Sequence, residues 1–193
     1  MDEKINSIEE SFQIINRIIE DEKVRLNENG FIYLFWGWLV IFCSSMEYVL
    51  MFSGVRHHYY IWFVMILGGV FTGIYFGYKK GGAPMPLTGK VLAYIWIFIG
   101  LNIFAFAFLF PIPAGSLLIF FILAMLGVGT IISGALIRFP WLVYGGIICN
   151  ALAFVTILVP SLYWNAITIV AIIFADIIPG YMLRAKYRKQ NVR

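Results

Sequence analysis

Charge is what this sequence has least of. Of 193 residues, 12% are Asp, Glu, Lys or Arg, against about 25% in an ordinary soluble domain. Cysteine is nearly absent as well. Cys43 and Cys149 are the whole complement, with no CxxC spacing, so neither a disulfide framework nor a cysteine metal site is expected. The two histidines, His57 and His58, are adjacent, and neighbours in a helix or strand point apart. No metal site is expected from them. HExxH, GxSxG, Walker and GxGxxG spacings are all missing, so no catalytic residue is nominated, no enzyme is expected and no cofactor is implied.

Acidic residues are missing from one part of the chain. Residues 2–28 hold eight acidic and four basic side chains, a net −4. Residues 29–193 hold ten basic and two acidic ones, a net +8. The two acids of that long stretch are Glu47 and Asp176. Its positive charge gathers between apolar blocks, so it reads as a topology signal and not as a nucleic-acid surface.

What is abundant is apolar sequence: 62% of the residues, with a mean hydropathy of +0.88. It comes in blocks of about 20 residues, the length a helix needs to cross about 30 Å of hydrocarbon. The blocks are apolar on all sides, which excludes the alternation of a porin-like barrel. The expectation is an all-α polytopic bundle, 29–184, with spans at 31–53, 59–78, 91–110, 116–137, 141–159 and 163–183. A basic tail, 185–193, follows. Alternate connections are basic, so both termini are expected in the cytosol, with Arg56 alone on the other side. Tyr59, Tyr60, Trp62, Tyr163 and Trp164 fit an outer aromatic belt. Polar mid-span residues (Ser44-Ser45, Asn102, Asn150) recur in alternate spans, a pattern that three helical hairpins related as a weak repeat would produce.

The acidic segment 1–28 reads as a cytosolic amphipathic helix. Ile5, Ile8, Phe12, Ile15 and Ile19 form one apolar stripe, and Ser7 with Glu10 makes a capping box. Interfacial helices usually offer Lys and Arg to lipid; this one is net negative. Residues 5–26 are therefore expected to dock on protein: a second copy, giving a homo-oligomer, a membrane or cytosolic partner, or the basic inner face of the same chain.

Asp176 is the candidate polar or ion site. It sits mid-span with no predicted cation beside it, and intramembrane carboxylates often carry ions or protons. Pro179 follows three residues later and removes an N–H, which frees the carbonyl of Ala175. Asn102 and Asn150 share a similar depth, so the three are expected either to converge on one cavity or to face separate helix contacts. Glu47 is a secondary candidate, placed to meet Arg56 or His57. Gly69, Gly73 and Gly77 recur every four residues and are expected to form a helix-packing strip, with Gly129 and Ser133 doing the same in the fourth span.

The run Asn29-Gly30-Phe31-Ile32-Tyr33-Leu34-Phe35-Trp36-Gly37-Trp38, straight after an acidic amphipathic helix, resembles a group of small uncharacterised bacterial six-span inner-membrane proteins. The likeness is carried by about the first 50 residues. It implies a bacterial inner-membrane setting, multi-pass, and implies no activity.

Overall fold

The computed structural model describes residues 30–79, 87–109 and 116–190. The arm stripe from Ile5 to Ile19, the capping box, the loop 81–89 as far as residue 86 and the tail beyond residue 190 lie outside the described residues. Six helices are long and apolar enough to cross a membrane, and no strand occurs among the described residues. They are α1 (Gly30–Phe52), α2 (Val64–Lys79), α3 (Leu87–Leu109), α4 (Ser116–Leu136) and α5 (Pro140–Leu158), then a sixth span built from α6 (Trp164–Ile172) and α7 (Ile178–Gln190). One 3₁₀ segment, His58–Phe63, leads into α2, and another, Ser161–Tyr163, leads into α6. Between α6 and α7 the sixth span passes through a π-turn, Ile173–Ile177.

Two connections have a clear local cause. At the end of α1, Gly54 lies at φ 75°, its N–H bonds the Met51 carbonyl at 3.2 Å and the Val55 N–H bonds Leu50 at 3.1 Å. At the end of α4, Arg138 lies at φ 53°, its N–H bonds Ala135 at 3.2 Å and the Phe139 N–H bonds Gly134 at 2.8 Å. Both are Schellman caps, which satisfy the last carbonyls of a helix through one left-handed residue. Pro140 then opens α5 in the position where its missing N–H costs nothing.

Neighbours in space follow an order close to the chain's own. The packing series is α2, α1, the sixth span, α5, α4, α3. The sixth span is the most enclosed, with half of its most apolar window buried, and α3 has none buried. The tightest pair is α4 with α5, which belong to different hairpins of the expected repeat. Glycine is the reason. A Cβ on Gly146 would stand 2.7 Å from the Gly127 carbonyl oxygen, and one on Gly134 would stand 2.8 Å from the Val143 nitrogen. Only a side chain of hydrogen lets two backbones come this close.

The expected glycine strip in α2 packs against no described residue. Nothing lies within 4 Å of a Cβ built on Gly69, Gly73 or Gly77. The packed glycine of that span is Gly68, one residue earlier, against Leu39 and Trp36 of α1. In α4 the expectation holds better: Gly129 meets Ile99 and Trp96 of α3.

Candidate polar site at the π-turn

Asp176 lies within the π-turn, 7% exposed. The turn follows from the residues around it. The Ile178 N–H bonds the carbonyl of Ile173, five residues back. Pro179 has no N–H to offer. The Phe174 carbonyl therefore has neither an α-type donor (Ile178) nor a π-type donor (Pro179). The Phe174 carbonyl is thus orphaned next to that of Ala175, whose α-type donor Pro179 removes as expected. It is placed against α5 at Gly145, where a Cβ would stand 3.0 Å from the Ala175 Cα and 3.1 Å from the Phe174 carbonyl carbon. A Cα–H···O contact is the only compensation such a close backbone crossing offers.

The Asp176 side chain turns to the other neighbour, α1. A Cβ on Gly37 would lie 3.1 Å from the Asp176 Cβ. Two further groups face the carboxyl within electrostatic reach: the phenol of Tyr33 on α1 and the thiol of Cys149 on α5. No hydrogen bond or ion pair joins Asp176 to another described residue. Polar side-chain atoms that are fully sealed in the bundle all have partners, so the carboxyl oxygens keep some of that residual exposure.

Tyr33 links this carboxyl to the far side of the bundle. Its phenol also stands close to Ser133 of α4. Ser133 also donates to the Gly129 carbonyl at 2.7 Å and accepts the indole N–H of Trp96, on α3, at 3.1 Å. Polar side chains from five spans thus lie close together as one seam: Trp96 is bonded to Ser133, Tyr33 stands between Ser133 and Asp176, and Cys149 faces Asp176 from the other side. The Cys149 thiol donates to the Leu123 carbonyl at 3.4 Å.

The two amides do not join it. Asn102 is exposed and donates to Phe98 of its own helix at 2.7 Å. Asn150 is half-buried, donates to Gly146 of its own helix at 3.2 Å and packs over Gly127. Equal depth did not bring equal facing. Glu47 belongs to the opposite end. It accepts the Trp62 indole at 2.8 Å and meets the His58 Nδ1 at 3.2 Å. Its partner is therefore His58, and neither Arg56 nor His57. Gly37 marks the level of Asp176 on α1, and Glu47 stands ten residues further, about 15 Å along the helix. The two carboxylates share no proton.

Tyr33, Trp96 and Cys149 escaped the sequence reading. The signal for Tyr33 was its four-residue spacing from Gly37, one face of α1. Chemically the seam offers one carboxyl, one phenol and one thiol, and no cluster of three metal-ligating side chains occurs among the described residues.

Comparison with family models, curated proteins and solved structures finds no match to any of them.

Proposed function

We propose that the chain is a non-enzymatic component of a bacterial inner membrane, with both termini cytosolic, whose acidic N-terminal segment binds a second copy or a partner protein. The observation that carries this reading is how the arm is joined to the body. Gly30, the first residue of α1, is seated on α7: a Cβ there would stand 3.1 Å from the Gly180 carbonyl oxygen and 3.2 Å from the Arg184 nitrogen. The residues that follow on α7 include Arg184, Lys186 and Arg188. The net −4 segment 1–28 thus precedes in sequence a residue that sits beside a cluster of cations, on the span that holds the π-turn. Deleting residues 1–26 should leave insertion intact and change the assembly. Unchanged particle mass in detergent, together with unchanged co-purification, refutes the reading.

One observation favours a second reading, a small proton- or cation-coupled transporter or channel. It is the unpaired Asp176 carboxyl in a helix interrupted by a π-turn, the kind of irregular backbone that lines ion sites in transporters. Asn102 and Asn150 no longer support it, because they face elsewhere. Asp176→Asn should abolish proton- or cation-dependent flux in proteoliposomes. Full flux in that variant removes this reading.

A further inference from the structure

A groove of about 440 Å³ runs along the outer surface of α1, and its lining is chemically divided. Phe31, Phe35, Trp38 and Phe42 form its floor. Their spacing of four, three and four places them on one helix face, a strip about 16 Å long. Tyr181 and Arg184 of α7 form one wall. On the α2 side, Phe71 and Tyr75 pack at a tilt against Phe35 and Phe31, with ring centroids 4.9 and 5.5 Å apart. Arg184 is the single charged lining residue and is exposed. It stands beside Gly30, at the end of the bundle where the described chain starts and finishes. No hydrogen bond or ion pair engages its guanidinium among the described residues. Arg188, one turn further on α7, repeats the charge on the same face.

We infer that this groove is a binding site for one anionic phospholipid, its acyl chain along the aromatic strip and its phosphate on Arg184. An apolar trough with a fixed cation at its mouth has the polarity of such a lipid, and a guanidinium holds phosphate oxygens in bidentate fashion. The acidic segment 1–28 is a poor occupant. Any helical stretch of it long enough to fill this strip, about eleven residues, includes acidic side chains such as Glu9 and Glu10 or Glu20, Asp21 and Glu22, and an acidic side chain is strongly disfavoured in hydrocarbon. A zwitterionic lipid fits the strip equally well and leaves the arginine with less to bind.

The test uses the full chain in detergent–lipid micelles, with brominated-tail phosphatidylglycerol or brominated-tail phosphatidylcholine as quencher of tryptophan fluorescence. The difference between the wild type and Trp38→Phe isolates the quenching of Trp38. Phosphatidylglycerol should half-quench Trp38 at a mole fraction about fivefold lower than phosphatidylcholine, as expected for one cation at a lipid surface. Arg184→Gln should erase that preference while both lipids still quench, and Arg184→Lys should restore most of it. Equal quenching by the two lipids in the wild type overturns the proposal. So does an Arg184→Gln variant that keeps the preference. A Trp38 that neither lipid quenches, in a particle with the mass of two chains, assigns the groove to a second copy and overturns it as well.

Discussion

Gly145→Ala places a methyl group where the structure has backbone. The new Cβ would meet the Phe174 carbonyl oxygen, the Phe174 carbon at 3.1 Å and the Ala175 Cα at 3.0 Å. None of these belongs to a flexible side chain, so α5 and the π-turn must separate. Overpacking of this kind costs about 1–3 kcal/mol, and loss of the Cα–H···O contact adds about 0.5–1 kcal/mol. Alanine returns up to about 1 kcal/mol through its better helix propensity. The net loss is about 1–3 kcal/mol, which for a chain of this length lowers Tm by roughly 2–12 °C. The chain carries its own reporter, because Cys43 and Cys149 are free and buried. A thiol-reactive dye in detergent therefore reads unfolding directly. Gly73→Ala is the control: it is an equally apolar span glycine with open space around it, and its Tm should hold or rise by a few degrees. A Gly145→Ala protein that melts within a degree of the wild type refutes the backbone crossing. A Gly73→Ala protein that loses as much refutes the assignment of the open face.

Three further perturbations probe other parts of the bundle. Glu47→Ala leaves the Trp62 indole without its 2.8 Å acceptor; it should cost about 1–3 kcal/mol, and the emission of Trp62, compared against a Trp62→Phe background, should change. Trp96→Phe removes the 3.1 Å hydrogen bond from the α3 indole to Ser133, and its loss of about 0.6–1.7 kcal/mol should appear as a Tm drop of a few degrees, whereas no drop would mean that α3 is held by apolar contacts such as Ile99 on Gly129 and Phe106 on Phe121. Arg138→Gly relieves a left-handed residue at φ 53°, so it should raise Tm by the equivalent of about 1 kcal/mol even though it removes a loop cation.

The six spans were legible because their limits are written in residues that hydrocarbon rejects. The breaks between helices fall within a few residues of the expected positions at Ser53-Gly54, Arg138-Phe139-Pro140 and Pro160, while the last helix runs on to Gln190, seven residues past the expected 183. Their facing was not legible. In water, the polar side of an amphipathic helix says which side is out. In lipid, both sides of a span are apolar, so Gly68 and Gly69 look alike in sequence, although one meets Leu39 and the other meets nothing. The same ambiguity left open whether Asn102, at a depth like that of Asp176, would converge with it or face elsewhere; its side chain is exposed. Beyond its spacing from Gly37, nothing in the run 29–38 marks Tyr33 apart from its aromatic neighbours, yet it is buried and stands between Ser133 and Asp176.

The π-turn shows why the polar site could be located and yet not assembled from its own span. Pro179 predicts a break, but a break has several solutions, and the residues 173–179 do not choose among them. The neighbours do. On one side Gly145 leaves room for the Phe174 carbonyl; on the other Gly37 leaves room for Asp176 and Ile177, with the Ile177 Cδ1 at 2.8 Å from a built Cβ. Both glycines are buried, in α5 and α1 respectively. A residue inserted into a helix turns everything beyond it by about 100°, so the same two glycines also fix which way α7 presents Tyr181 and Arg184 to the α1 groove. The carboxyl and the groove are thus set by one turn. Alanine at Gly37 should therefore disturb both: it would press on Asp176 and Ile177 directly, and it would shift α7 at the wall of the groove.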